Sequence, residues 1–207
     1  MNAIHLLSVV RGSGFPRADD AGLSIERLDE LAAELARIFQ VSCHVHEESL
    51  SVDFAHDAIR GQYHSTAILQ RLEGLVDDPQ AQILGVTSLD LFIPILTFVF
   101  GEAQLGGRCA LVSLHRLREE FYGLPPNANL LWSRLVKESV HELGHTLGLR
   151  HCRDWQCAMA STHDVERLDL KGEEYCQLCL SAASLGAPAS RGREFLSLFK
   201  QTPRSPS

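Results

Sequence analysis

HELGHTLGLRHC, residues 141–152, brings three histidines, a glutamate, two glycines and a cysteine into twelve consecutive positions. His141 and His145 are four residues apart, so on a helix both imidazoles lie on one face and one metal ion can bind both. Glu142 is rotated away from that line, which suits it to contact a metal-bound water without ligating the metal. Because a catalytic zinc ion usually has three protein ligands plus water, the pattern predicts a third ligand from another part of the chain.

Gly148 explains how that third ligand reaches the metal. A helix that continued through residue 151 would carry its side chain away from His141 and His145. Glycine adopts a positive φ at little cost, so the helix can end at Gly148 and the chain can turn back. We therefore predict that His151 completes a zinc site. Ordinary core or surface histidines would explain single members of this set but not the whole pattern.

The motif is expected on a long helix. Pro125 and Pro126 interrupt the chain, and Asn127 or Asn129 can cap the segment that follows. An apolar stripe with helical spacing then leads into the motif: Leu131, Leu135, Val136, Val140, Leu143 and Leu147. This spacing predicts a long helix with one apolar face, and that helix carries the motif.

Strands and helices alternate before that helix. Strands are predicted at residues 4–10, 41–46, 82–87 and 108–115, and helices at 24–39 and 62–76. This order predicts an α/β layer structure. We expect residues 1–148 to form an N-terminal α/β subdomain that ends in the motif helix. Residues 149–187 are then a small C-terminal subdomain with a helix near 173–184, and residues 188–207, rich in proline, serine and arginine, a flexible tail.

Four cysteines form two closely spaced pairs: Cys152, Cys157, Cys176 and Cys179. Two such pairs separated by a longer segment are typical of a closed four-thiolate zinc site. Disulfides are the main alternative, and a thiol redox couple is a weaker one. Cys43 and Cys109 have no comparable partners, so we predict that both are buried apolar thiols.

Composition restricts the class of protein. The formal net charge of the 207-residue chain is −7, which disfavours binding to nucleic acid or to an anionic membrane. Residues 1–10 lack a basic start and resemble a first strand more than a signal peptide. The longest apolar run, residues 91–100, is about half a membrane span and contains Pro94. We therefore predict a cytoplasmic protein whose thiols stay reduced. No pattern indicates its oligomeric state.

The stretch HELGHTLGLRH resembles the long zinc signature of the metzincin metallopeptidases. That clan has a methionine turn beneath its histidines, and Met159 in CAMAS lies at a suitable distance, although simple core packing is a compatible explanation. A cysteine directly after the signature, followed by methionine and CxxC, is similar to the archaemetzincins. VFGEAQLGGRCALVSLHRL, residues 99–117, also resembles the segment before the zinc helix in that family. The likeness covers roughly residues 82–180.

The resemblance implies a metzincin-like mixed twisted β-sheet with a long zinc-binding active-site helix and a small Cys-rich C-terminal subdomain. It also implies a metallopeptidase with a catalytic and a structural zinc ion. Glu142 would take a proton from zinc-bound water as the water attacks a peptide carbonyl, and would pass it to the leaving amine. An edge strand, expected at residues 108–115, would align the peptide by main-chain pairing. His115 either helps to bind the peptide or, as we favour, is an ordinary strand histidine.

Adjacent residues would thus serve two metals, because His151 would face the catalytic zinc and Cys152 the structural one. We predict that the cysteine site fixes the backbone that presents His151. Two features differ from many metzincins: the first strand starts too early for an inhibitory propeptide, and no tyrosine follows Met159 closely. The alternative function is a zinc-stabilised peptide-binding or regulatory module with little activity. Glu142 favours the enzyme, and the acidic balance disfavours a zinc-ribbon nucleic-acid binder.

Overall fold

A computed structural model describes residues 1–12 and 24–186, and the predicted tail at 188–207 lies outside these ranges. Its strands are β1 (Ala3–Val10), β2 (Ser42–Val45), β3 (Leu50–Ser51), β4 (His56–Asp57), β5 (Gln62–His64), β6 (Gln82–Thr87), β7 (Leu91–Phe92), β8 (Gly101–Ala103) and β9 (Cys109–Ser113). Its α-helices are α1 (Ile25–Phe39), α2 (Ser65–Leu72), α3 (Ala128–Thr146), α4 (Val165–Leu170) and α5 (Gln177–Gly186).

The main sheet is mixed. Its strands lie in the order β2-β1-β6-β9-β8, and β3 also pairs with β1. All neighbours are parallel except β8 and β9, which are antiparallel. A second sheet of three short strands has the order β4-β5-β7. The prediction of an α/β fold with a mixed twisted sheet and a long helix carrying the histidines is confirmed.

Two apolar cores lie on opposite faces of the main sheet. Helices α1 and α3 pack on the face that includes Ile4 and Leu6, and α2 packs on the face that includes Leu7 and Val9. This division follows from the pleat of β1, because successive side chains of a strand point to opposite faces. Residues of the Cys-rich segment, such as Met159, belong to the α1–α3 core. The subdomain boundary at residue 148 stays a prediction.

Helix α1 illustrates how the pattern selects its structure. Ser24 caps it by accepting a hydrogen bond from the Arg27 N–H at 3.3 Å. Leu31 and Leu35 are fully buried, and burial of such a side chain stabilises the fold by about 1.5–3 kcal/mol. The chain leaves the helix at Gln40, whose φ of 54° is left-handed. The predicted helix at residues 24–39 is confirmed.

Two predicted helices begin later than expected. The helix predicted from residue 62 begins at Ser65, because residues 62–64 form β5 and the Tyr63 N–H donates to the Asp90 carbonyl. The helix predicted from residue 173 begins at Gln177. Helix α4, capped by Asp164, was not predicted, since six residues are too few to show a helical period. No helix in the described ranges has the length and apolar character needed to cross a membrane.

The prediction that residues 108–115 form the edge strand of the sheet is wrong. The segment expected at residues 108–115 forms β9, and it lies inside the sheet between β6 and β8. The edge strand is β8, only three residues long. A tight turn folds β8 back onto β9: the Gly107 N–H donates to the Gln104 carbonyl at 2.9 Å, and Gly106 has a φ of +68°. Because β8 is so short, the sequence carried almost no strand pattern for it.

Candidate active site and metal centres

Helix α3 begins at a polar cap and ends in a turn that reverses the chain. The Asn127 side chain accepts a hydrogen bond from the Leu130 N–H at 3.1 Å. At the other end, the Gly148 N–H donates to the His145 carbonyl at 2.9 Å and the Leu149 N–H to the Gly144 carbonyl at 3.1 Å. This is a Schellman motif, and Gly148 adopts the φ of +84° that the motif requires. The predicted helix end at Gly148 is confirmed.

The turn brings three histidines together. The Nε2 atoms of His141 and His145 are 3.2 Å apart, and the His151 ring centre lies 5.3 Å and 5.0 Å from theirs. One ring nitrogen from each lies within 4.8 Å of the others. His141 is buried, His145 is half-buried and His151 is exposed. The cluster therefore has a protected inner side and one side open to a substrate.

Backbone carbonyls orient the two helical imidazoles. His141 Nδ1 lies 2.8 Å from the Ala158 carbonyl oxygen, and His145 Nδ1 lies 2.8 Å from that of Leu149. A carbonyl only accepts, so each Nδ1 carries the proton and each Nε2 lone pair is directed into the cluster. Burial lowers the pKa of His141 to about 4, and it also lowers the pKa values of His145 and His151. Neutral imidazoles with free, converging lone pairs fit a zinc ion.

Glu142 lies beside the cluster against the edge strand. It is buried, and burial, followed by the negative charge of Glu138, raises its pKa well above the usual value for a carboxyl. A Cβ atom added to Gly101 of β8 would lie 2.7 Å from both Cγ and Oε1 of Glu142. Only glycine therefore lets β8 approach the carboxyl this closely. The arrangement holds a proton-accepting group directly under the strand.

Met159 lies beneath α3 as the resemblance implied. It is fully buried, and a Cβ atom added to Gly144 would lie 2.3 Å from its Sδ. The Met159 carbonyl accepts a hydrogen bond from the Cys152 N–H at 2.8 Å, and the turn is closed by the Ala160 N–H and the Cys157 carbonyl at 2.8 Å. The methionine supports the histidine-bearing turn of the helix from below, through packing alone.

The four predicted cysteines converge into a second cluster. Their Sγ atoms lie within 4.8 Å of one another, and Cys152 and Cys176 are 3.7 Å apart. Sulfurs on a tetrahedral zinc ion with bonds of about 2.3 Å are separated by about 3.8 Å, so the set fits zinc. All six cysteines of the described ranges are free, which disfavours the disulfide alternative. Cys109 is buried as predicted but Cys43 only half-buried, and burial raises the pKa of each to about 11.

One short loop connects the two clusters. Cys152 follows His151 directly, and the Ala158 carbonyl that orients His141 comes directly after Cys157. The Cys157 Sγ also accepts hydrogen bonds from the N–H groups of Met159 and Cys176, at 3.4 Å and 3.2 Å. A shift of the thiol cluster would therefore move the backbone that positions the histidines.

The histidines line a cleft of about 600 Å³. The lining comes from three segments: residues 96–103 with Leu105, four residues of α3, and Arg150 and His151 with residues 161–163. His115 is not part of this lining; it lies half-buried against Phe121, with ring centres 5.2 Å apart. This position is consistent with an ordinary strand histidine, and the role of His115 stays a prediction.

Several residues around the site were not predicted. Glu138 lines the cleft one turn before His141 and forms a buried ion pair with Lys171, at 2.9 Å between Oε1 and Nζ. Burial acts to raise the pKa of Glu138, but the Lys171 ammonium keeps it below the usual value. Tyr175 donates a hydrogen bond to the Val140 carbonyl at 2.7 Å. The one usable signal was the spacing of Glu138, which lies three residues before His141 and seven before His145 and so shares their helix face.

Comparisons with known proteins agree with this arrangement. The model of Peptidase family M54 matches residues 26–184. The archaemetzincin of Methanocaldococcus jannaschii is 48% identical over 127 residues, which cover 61% of this chain and 69% of that protein. The crystal structure of archaemetzincin from Archaeoglobus fulgidus, complexed with malonate, has a TM-score of 0.70 and 32% identity and covers 87% of this chain and 99% of that chain. A zinc-dependent peptidase from Methanocorpusculum labreanum has a TM-score of 0.74 at 28% identity, with the same coverage.

Proposed function

The chain belongs to Peptidase family M54 and is a zinc metallopeptidase of the archaemetzincin type, and we propose that Glu142 is its general base. We propose further that His141, His145 and His151 hold the catalytic zinc ion. The observation that supports this assignment most directly is the convergence of three ring nitrogens next to a buried carboxyl. When bound there, zinc supplies Lewis-acid polarisation of a peptide carbonyl and makes water more acidic.

Glu142 performs the proton transfers in this mechanism. A carboxylate oxygen accepts the proton of the attacking water and then donates it to the nitrogen of the leaving amine. The burial that raises its pKa favours the form that carries the proton between these two steps. Gly101 keeps β8 in contact with the carboxyl, so a peptide on that strand lies next to the proton acceptor.

The edge strand β8 aligns the substrate. Its inner side pairs with β9, and no described strand pairs with its outer side. An extended peptide can therefore add to the sheet through main-chain hydrogen bonds and lie over α3. We therefore assign the alignment of the peptide to β8 and no longer to residues 108–115. Binding through the backbone positions a peptide bond over the histidines whatever its side chains are.

We assign a second, structural zinc ion to Cys152, Cys157, Cys176 and Cys179, so that one chain holds two ions. The support is the tetrahedron-like spacing of the sulfurs and the loop they share with the histidine site. This ion would fix the backbone of His151 and of Ala158, which orients His141. A thiolate site needs reduced cysteines, which supports a cytoplasmic location.

Cleavage of an unbiased peptide library by wild type and Glu142→Gln tests the proposal. We expect both proteins to bind the same amount of zinc and only the wild type to cleave, because a glutamine side chain keeps the shape but cannot accept a proton. Glu166→Gln is the matched control, since Glu166 is exposed on α4 outside the cleft. Equal cleavage by Glu142→Gln would remove Glu142 from the mechanism. Peptide binding without cleavage by any variant would favour the non-catalytic binding module.

A further inference from the structure

The lining of the cleft, in the part of the chain that the structure describes, includes apolar side chains and one arginine. Leu96 and Phe98, which precede β8 in the chain, are among the lining residues, and Leu96 is 48% exposed. Leu105 and Arg150 also line the cleft. Arg150 is the one arginine in this lining, because Arg60, which donates a hydrogen bond to the Leu96 carbonyl at 3.2 Å, and Arg116, which stacks on the Phe98 ring, do not line it.

The fold places Arg150 at the C-terminal end of α3. The Gly106 N–H donates to the His145 carbonyl at 2.9 Å, which brings the turn after β8 to that end of the helix. The Schellman motif at Gly148 turns the chain back at the same place, and Arg150 follows two residues later. Leu105 and Arg150 thus both lie near the C-terminal end of α3, and both line the cleft there.

Two acidic side chains of the cleft already have other partners, and the third is buried. Glu102 accepts hydrogen bonds from the hydroxyl groups of Ser65 and Thr66. Glu138 pairs with Lys171, and Glu142 is buried against β8. Arg150 is exposed and, among residues 1–12 and 24–183, pairs with no carboxylate. In a chain of net charge −7, the cleft therefore presents one accessible arginine to its ligand.

The direction of the bound peptide decides which of its residues meets this arginine. Strand β8 runs from Gly101, beside Glu142, to Ala103, near the turn at Leu105. Antiparallel pairing is the more stable arrangement for an added strand. A peptide that pairs in this way has its N-terminal residues at the Arg150 end and its C-terminal residues at the Leu96 end.

We propose that Arg150 selects peptides that carry aspartate or glutamate on the N-terminal side of the cleaved bond. This inference rests on the proposed peptidase function and on pairing with β8. A guanidinium can bind a carboxylate through two parallel, charge-assisted hydrogen bonds. A glutamine side chain of the peptide has no negative charge and a lysine side chain is repelled, so neither forms this pair. For a pair open to solvent on one side, we expect about a five- to tenfold preference for glutamate over glutamine.

The test uses peptide sets that differ only in having glutamate, glutamine or lysine at each position before the cleaved bond. Their kcat/KM is measured with wild type, Arg150→Gln, Arg150→Glu and the control Arg153→Gln. Arg153 is an exposed arginine three residues further along the chain and outside the cleft walls. The Kd of the same peptides is measured with zinc-loaded Glu142→Gln protein, with and without Arg150→Gln. Because Arg150 precedes His151, the zinc content of each variant is measured first.

We expect the glutamate preference in wild type and Arg153→Gln, its loss in Arg150→Gln, and a preference for lysine in Arg150→Glu. Cleavage with no charge preference, or a preference that survives Arg150→Gln, would overturn the inference and leave the peptidase function intact. If wild type cleaves no peptide, the peptidase proposal fails and the Kd values alone decide. A glutamate preference in binding that disappears in Arg150→Gln then supports the inference, and equal Kd values overturn it.

Discussion

Replacement of Gly144 by alanine should destabilise the protein, although alanine is the better helix former. Gly144 lies in the middle of the histidine motif, where α3 rests on Met159 and Tyr175. The new Cβ would lie 2.3 Å from Met159 Sδ and 2.9 Å from Tyr175 Oη. Both distances are far below ordinary van der Waals contact, so either the helix or its neighbours must move. Met159 is fully buried and Tyr175 is 5% exposed, so neither has free space to enter.

The magnitude follows from three contributions. Overpacking of a dense core costs about 1–3 kcal/mol. If Tyr175 moves, its hydrogen bond to the Val140 carbonyl is lost, and an unsatisfied buried group costs about 1–3 kcal/mol. The helix propensity of alanine offsets about 1 kcal/mol of this. With all three contributions we expect the free energy of unfolding to fall by about 1–5 kcal/mol. Since the strain acts between His141 and His145, we also expect zinc affinity to fall about 10-fold or more.

Denaturant unfolding of the zinc-loaded protein and competition with a metal chelator measure these two effects. Gly74→Ala is the matched control, because its Cβ would meet only the Arg71 carbonyl at 4.0 Å. Gly144→Ala should lower the free energy of unfolding less in a Met159→Ala background than in the wild type, because the closest clash is absent there. The packing argument is refuted if Gly144→Ala alone matches wild type in both stability and zinc affinity.

Three further predictions concern the second cluster, the buried ion pair and His5 of β1. Cys176→Ser/Cys179→Ser should weaken zinc binding at the histidine site about 10- to 100-fold in chelator competition, because the loop that orients His141 loses its anchor; unchanged affinity in a protein that is folded by circular dichroism would refute the coupling. Lys171→Met leaves Glu138 buried without its partner and should lower the free energy of unfolding by about 3–5 kcal/mol, whereas Lys171→Met/Glu138→Leu should recover most of it; equal losses in both variants would contradict this. Burial, followed by the charges of His46 and His44, lowers the pKa of His5 below 6.5. As the pH drops below about 6.5, His5 therefore binds a proton in the unfolded chain before it does so in the folded protein, and the free energy of unfolding falls. Denaturation at several pH values should show a shallower acid-side loss in His5→Gln, and an unchanged slope would exclude His5 as a source.

The candidate site residues that lie close together in the chain could be predicted from the sequence. His141 and His145 are one helical turn apart, and Gly148 marks the turn that returns His151 to them. The cysteine pairs are similarly close in the chain. In each case neighbouring residues and backbone preference determine the geometry, so the pattern remains visible without the rest of the fold. The long strands β1 and β6 and helices α1 and α3 were predictable for the same reason.

The residues that act across long separations could not be predicted. Residues 108–115 have a stronger strand pattern than β8, yet β8 is the edge, because sheet order depends on pairing between distant segments. Glu138 forms an ion pair with Lys171, which is 33 residues further along the chain. Tyr175 donates a hydrogen bond to the carbonyl of Val140, which is 35 residues away in the sequence. No local periodicity encodes such pairs.

The sequence by itself therefore determined which atoms can hold metal, since helical period and a single left-handed glycine suffice to gather donors that are close in the chain. Only the tertiary structure decided what surrounds them: the strand that faces Glu142, the methionine under Gly144 and the end of the cleft that carries Arg150. The physical reason is that these relations arise from packing between segments far apart in the chain, and shape complementarity becomes defined only when those segments meet.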